Sequence, residues 1–334
     1  MRPICLAFVI VLCSGPLQGL ETDQFTLPVA PLTDSGVELS ERVARAVSEI
    51  LSLRDTEILD ADRIAEEFHH RLGSGGPFKT ELEKFIDHGL PVAARFNPPL
   101  GHTIYRGVVL PIPGGLMVRA PTIKVFGYEL GADKMGHFVQ QGYEYYKIYR
   151  KTPGQEGVRR AVEHGMLEEH TIFGTAVSGV YSNADLAANF AGLKFYLNLT
   201  QRVDIGGTTL EPILIRGARG WELSASVNTP ALLRPYVSGH WNEALNPSEY
   251  RMMHPLVAKA VQKRCSSWRS RLGDEFSPFY FAALMAEYST WHGEEYGHRY
   301  DKKHGVSLAD ECFKDEAVAQ APRTGAIAHA ALVN

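Results

Sequence analysis

Apolar positions recur at helical spacing through the first part of the chain. Val37, Leu39, Val43, Val47, Ile50 and Leu51, then Ile58, Ile64, Phe68 and Leu72, stand among charged residues, which predicts two amphipathic helices joined near residues 54–56. "GSGGP" at 73–77 breaks the pattern, and "KTELEKFIDHG" predicts a short third helix closed by Gly89 as its cap. Between 90 and 130 the chain is rich in proline and glycine around "TIYRGVVLPI", "GLMVRA" and "TIKVFGYEL", which predict strands or extended loops with one or two hairpins. The densest helical pattern follows, as three helices over 133–151, 155–173 and 182–200. After Asp204 a turn and strand ("IGGTTLEPILIRG") lead to a polar, aromatic loop ("SGHWNEALNPSEY"), and helices resume over 255–272 and 277–290. The expected fold is mainly α with a small β component. It forms one domain over 21–314 around a helical core at 133–200, and an alanine-rich tail at 315–334 is expected to be disordered.

The first residues bear on compartment. Arg2 precedes the apolar run "ICLAFVIVLC" and then "SGPLQG", which reads as a secretory signal peptide over residues 1–20, cleaved between Gly15 and Glu21. The run is shorter than the roughly 20 residues a membrane-spanning helix needs, so no transmembrane segment is expected after signal removal. Cys13 follows Val11 and Leu12 in place of the small residues of a lipid-attachment signal, so lipid anchoring is not expected. Of the four cysteines, Cys265 and Cys312 remain beyond the signal, and a disulfide is their natural reading in a secreted or periplasmic protein. Two unpaired thiols are the alternative, since spacing alone does not set the Cα separation. A net charge of -4 without a basic stripe argues against a nucleic-acid partner.

Candidate chemistry concentrates in the three central helices. Asp133 and His137 are one turn apart with Lys134 beside them; such a pair chelates a metal or lets a carboxylate orient an imidazole for general-base work. Asp133 equally stands where an N-cap belongs. The second helix carries Glu163, His164, Glu168, Glu169 and His170, of which only two or three can face inward together; a solvated helix face is the plain alternative. Ser182 followed three residues later by Asp185 is close to a capping box, and Asn189 and Gly192 continue the same stripe, suited to close helix packing or a small polar cavity.

Taken in order, Asp133-Lys134-x-x-His137-Phe138, then Glu168 or Glu169, then Ser182-x-x-Asp185-x-x-x-Asn189-x-x-Gly192 resembles the pattern of the VanZ-like proteins and related small envelope lipoproteins. The resemblance covers residues 133–192. It implies a shared three-helix core, a polar cluster and envelope association. VanZ-like helices span membranes, whereas these carry Lys147, Arg150, Arg159 and Arg160, and the Gln and Arg usual between the acid and the Ser-Asp element are not clearly present.

Two further stretches hold candidates. In "WHGEEYGHRYDKKHG" at 291–305, Glu294 and His298 are at helical spacing, and His292, Glu295, His298 and His304 form a possible metal set, with a surface loop as the plainer reading. In "GHWNEALNPSEY", His240 and Glu243 are three apart, and Trp241 and Tyr250 would line a sugar groove, against a packed loop with Asn-Pro turns.

The sequence therefore leads to an exported, hydrolase-like enzyme acting on cell-envelope material. Asp133 would orient His137, Glu168 or Glu169 would be the acid or base, Asp185 the second carboxylate or a metal ligand, and Ser182, Asn189 and Lys134 would complete the site. Tyr143, Tyr145, Tyr146 and Trp241 tilt the substrate toward glycan. No cofactor is identified, although the donors are of types that take a divalent metal. The alternative is a non-catalytic periplasmic or secreted binding or structural protein whose polar cluster fixes helix packing.

Overall fold

The computed structural model describes residues 20–53, 59–75, 79–106, 118–170 and 180–313. The expected signal peptide, but for Leu20, and the expected tail lie outside them, as do the proposed helix junction at 54–56 and much of "TIYRGVVLPI".

Chain order begins with β1 (Leu20–Thr22), α1 (Gly36–Leu51), α2 (Ala61–Leu72) and α3 (Glu81–Gly89). Most positions read from spacing are buried, Leu39, Val43, Val47 and Ile50 on α1 and Ile64, Phe68 and Leu72 on α2, whereas Val37 in the first turn of α1 is exposed and Leu51 at its end is partly buried. Asp60 caps α2 by accepting from the Arg63 amide, and Thr80 with Glu83 forms a complete capping box on α3. Next come β2 (Arg95–Phe96), β3 (Val118–Ala120), β4 (Thr122–Val125) and β5 (Tyr128–Gly131). β4 and β5 form the expected hairpin, β2 pairs with the outer edge of β4, and β3 runs parallel to β1. The hairpin turn places Phe126 and Gly127 at φ 50° and 92°, and the Asp34 carboxylate accepts both of their amides.

The helix predicted over 133–151 is two helices, α4 (Ala132–Val139) and α5 (Gln141–Lys151), divided at Gln140. After α6 (Gln155–His170) and β6 (Tyr181–Ser182) comes α7 (Asn183–Asn198), on which α4, α5 and α6 all pack. Every residue of α7 is buried, so it is the axis of the helical core. Gly192 is the crossing point: a Cβ there would lie 2.2 Å from the Phe138 carbonyl oxygen and 2.7 Å from the Gly142 Cα. Glycine at 142 and 192 lets α7 pass through the α4–α5 break at backbone contact.

The remainder comprises β7 (Val203–Ile205), β8 (Thr208–Leu210), β9 (Leu214–Gly217), β10 (Gly220–Leu223), β11 (Ser248–Glu249), α8 (His254–Gln262), α9 (Cys265–Leu272), α10 (Pro278–Tyr288), β12 (Gly305–Val306) and α11 (Leu308–Cys312). The single helix predicted over 255–272 is thus divided into α8 and α9. α8 to α11 enclose a second apolar core around Val257, Trp268, Phe281 and Phe313, and Cys265 and Cys312 are joined in a disulfide with Cα atoms 5.7 Å apart. A three-stranded sheet, β12-β11-β6, ties this part to the start of α7, with Ser182 opposite Ser248 and Tyr181 opposite Glu249. The protein is mainly helical with a small β component, as its hydrophobic pattern predicts. Among the described residues no helix is long and apolar enough to cross a membrane.

Candidate functional site

The site grows from the start of α4. Gly131 is the N-cap residue of that helix, so Asp133 stands at its second position and does not cap it, contrary to the expectation from sequence. The Asp133 carboxylate instead accepts from Thr22 Oγ1 at 2.6 Å and from Lys134 Nζ at 2.7 Å. A Cβ on Gly131 would fall 2.1 Å from Asp133 Oδ1 and 2.5 Å from Thr22 Oγ1, so a larger residue would displace this contact.

Lys134 is the hub. Its ammonium lies 2.7 Å from Asp133 Oδ2, 2.5 Å from Asp185 Oδ1 and 2.5 Å from Glu243 Oε1, so three carboxylates surround it. The side chain has no exposed surface, and neither does Glu243. A buried ammonium is tolerable only with such partners. Asp133, Asp185 and Glu243 face one point in the manner of a metal site, but the ammonium takes that point.

Ser182 and α7 supply the next layer. Ser182 Oγ caps α7 by accepting from the Asp185 amide at 3.2 Å and donates to Glu243 Oε1 at 3.1 Å, so this residue both caps the helix and touches the cluster. Its own amide donates to Glu169 Oε2 at 3.2 Å. His137 is addressed from α7: Nδ1 is 3.0 Å from Asn189 Oδ1, and Nε2 is 3.3 Å from Asp185 Oδ2. The carboxylate that orients His137 is therefore Asp185 and not Asp133. Of the two adjacent glutamates, Glu169 joins the cluster, while Glu168 points to His164 at 3.2 Å on the partly exposed side of α6.

Electrostatics divide these acids. Burial pushes the Glu169 carboxyl well above its usual range, and neighbouring Asp185 adds to this. Burial would also raise Asp185, but His137 and Lys134 together outweigh it and hold that group ionised and below its ordinary value. Glu243 is pushed up to about 7 by burial, against the pull of Lys134. Protons thus make up part of the charge that one ammonium leaves unbalanced. Exposure divides the cluster as well: Lys134, Glu243 and Asp133 are at 0 %, 0 % and 2 %, whereas His137, Glu169 and Asp185 keep 9 %, 7 % and 6 %.

Compared with known proteins, the chain matches no family model, no curated protein and no solved structure. The site is therefore read from its own geometry.

The structure brings together Asp133, Lys134, His137, Glu169, Ser182, Asp185 and Asn189 and leaves out Glu168. Sequence reasoning attached Glu243 to His240; it belongs with Lys134, and its amide is held by Gln24 Oε1 at 2.8 Å. Neither Thr22 nor Gln24 carries a signal, since they meet the site across 111 and 219 residues of chain. Of the aromatic residues that tilted the expectation toward glycan, Trp241, Tyr145 and Tyr146 are buried and Tyr143 is partly exposed, and Tyr250 is buried as well. The stretch 291–305 contains no helix, so Glu294 and His298 do not share a face. Glu294 pairs with Lys194 and His304 with Asp301, and the proposed set of His292, Glu295, His298 and His304 forms no metal-type group among the described residues.

Proposed function

We propose that this protein is an exported hydrolase-like enzyme of cell-envelope material, working by acid–base chemistry at the less deeply buried edge of the cluster, where His137, Glu169 and Asp185 keep 6–9 % exposure. The observation that carries the reading is the juxtaposition, through Ser182 and α7, of a proton-retaining carboxyl, Glu169, with an ionised carboxylate, Asp185, paired to an imidazole, His137. Neighbouring acids driven toward opposite protonation states are the usual basis for dividing acid from base. The Asp185 carboxylate, oriented by His137, takes a proton from water, the resulting hydroxide adds to the electrophilic centre, and Glu169 gives its proton to the leaving group. Lys134 fixes the charge of Asp185 from below. The disulfide supports an oxidising compartment, and the envelope setting rests on the likeness of the ordered pattern to VanZ-like proteins.

One observation favours the second reading, a non-catalytic protein whose cluster sets helix packing. The Lys134 ammonium is ringed by three carboxylates, and both ring nitrogens of His137 face partners within the protein. Glu169→Gln separates the two, because the amide resembles the protonated carboxyl in shape but has no acidic proton. Purified protein is incubated with isolated envelope fractions, and released acids, amines and reducing ends are measured. The enzyme reading expects turnover that falls about 10²- to 10⁴-fold in E169Q at unchanged Tm. No turnover by the native protein, or full turnover by E169Q, leaves the packing reading.

A further inference from the structure

Beside Tyr181 two guanidinium groups converge on the His170 ring, and among the described residues only one of them has a carboxylate partner. Arg251, two residues beyond β11, turns Nη2 onto the His170 ring, 3.2 Å from Nδ1 and 3.4 Å from Nε2. Arg299 reaches the same nitrogen: its Nη1 is 3.4 Å from His170 Nδ1, while its guanidinium lies 5.7 Å over the Tyr181 ring. Glu249 pairs with Arg299 Nε at 2.9 Å, which aims that guanidinium, but among the described residues no carboxylate pairs with Arg251.

Arg299 has Glu249 as its counter-charge, whereas Arg251 brings a second guanidinium to the same imidazole with no carboxylate of its own among the described residues, which leaves a local excess of positive charge. The chain carries net charge -4, so this is a local concentration and not a general basic surface. Planar N–H forks with an imidazole beside them are the donor set that grips a tetrahedral oxyanion from two sides. The same stretches of chain carry exposed apolar residues: Met252, next to Arg251, is 83 % exposed, Leu256, five residues on, is 53 % exposed, and Leu167, one turn before His170 on α6, is 59 % exposed. Large apolar side chains on the segments that carry a cationic centre suit an amphiphile better than a fully hydrated ion.

We propose that Arg251, Arg299 and His170 form a binding site for a phosphoryl oxyanion, with Leu167, Met252 and Leu256 placed to meet the apolar part of a lipid that carries it. The site stands apart from the catalytic reading and does not need it.

The test uses the mature chain and two probes, inorganic phosphate by calorimetry and sedimentation with phosphatidylcholine vesicles with and without phosphatidic acid, at about 0.15 M salt. Saturable phosphate binding and phosphatidic-acid-dependent sedimentation are expected, both weakened about tenfold or more in Arg251→Gln. Arg299→Lys keeps a positive charge opposite Glu249 but loses the planar fork, so it should weaken phosphate binding while the circular dichroism spectrum stays native. Met252→Ser should reduce sedimentation alone. Phosphate binding without sedimentation upholds the oxyanion site and assigns it to a soluble phosphoryl ligand. Binding of neither probe, or equal binding by native and R251Q protein, overturns the proposal. His137→Ala should retain phosphate affinity, so loss of hydrolysis and loss of anion binding are separable failures.

Discussion

The floor and the edge of the polar cluster use the same residue types for different ends. On the floor, Lys134, Asp133 and Glu243 are sealed, and the ammonium lies within ion-pair distance of three carboxylates. At the edge, His137, Asp185 and Glu169 keep slight exposure, and the acids there differ in protonation. The two share Asp185, whose Oδ1 meets the ammonium and whose Oδ2 meets the imidazole. A buried ion cluster is poor evidence of stability in itself, since apolar packing often does as well. The difference between layers suggests a division of labour in which the floor fixes the charge and position of the group the edge uses.

The largest expected effect comes from breaking the floor. Lys134→Met leaves Asp133, Asp185 and Glu243 without their cation, and such a loss destabilises by about 3–5 kcal/mol. Urea unfolding at pH 7 measures it, and a loss below about 1 kcal/mol would mean the floor is no more than packing. The same variant should recover stability toward pH 5, where the orphaned carboxylates accept protons.

A smaller effect is written into the native protein. Burial raises Glu83 to about 8 and Glu243 to about 7, from ordinary values of 4.5. A raised folded-state value means that the folded chain keeps protons the unfolded chain has released. The associated stability is fully present below about pH 4.5 and is lost as pH climbs through 7 and 8. His69 and His298, lowered to about 4 chiefly by burial, act the other way, losing stability as pH falls from 6.5 toward 4. Between pH 7 and 8 the acids dominate, and stability should fall by on the order of 1 kcal/mol. In Glu243→Gln, which cannot titrate, the dependence should flatten; an unchanged slope would place the titration elsewhere.

How much of this was legible beforehand follows from the range of the forces. The faces of α1 and α2, the β4–β5 hairpin and the cap at Ser182 are local, and their spacing or turn residues announce them. The ordered set Asp133, His137, Asp185 and Asn189 was readable as a group because one helix face carries each part. Its partners were not: Glu243 meets Lys134 across 109 residues, and periodicity contains nothing about such pairing. The break at Gln140 was invisible for a related reason. Its cause is the approach of Gly192 on α7 to Phe138 and Gly142, a tertiary contact acting on a stretch that is helix-forming by itself. The aromatic residues were ambiguous because a tyrosine hydroxyl looks the same in a groove and in a core. Gly165 shows where Tyr145 goes: a Cβ there would lie 1.7 Å from the Tyr145 hydroxyl oxygen.

Ser182 joins the two layers, which makes its removal a measure of their coupling. Ser182→Ala loses the α7 cap and one donor to Glu243 Oε1, and a cap of this kind is worth about 1 kcal/mol. A double-mutant cycle with Lys134→Met should show coupling beyond experimental error, since both substitutions strip contacts from the same glutamate. Strict additivity would mean that floor and edge are energetically independent, and the division of labour argued above would lose its link.

The smallest effect belongs to Glu168, and it sharpens the contrast most. Glu168 and Glu169 are adjacent and chemically identical, yet a step of one residue around α6 sends one to His164 and the other to the Ser182 amide. The Glu168–His164 contact is an i,i+4 pair on the partly exposed face, and such pairs contribute about 0.3–0.5 kcal/mol. Glu168→Gln should therefore move the urea midpoint barely and leave turnover of envelope material untouched, against the loss expected of Glu169→Gln. If the two substitutions behave alike in turnover, whether both silent or both damaging, helix phase does not select the acid. The case for Glu169 as proton donor would then fall, even with the Lys134 floor intact.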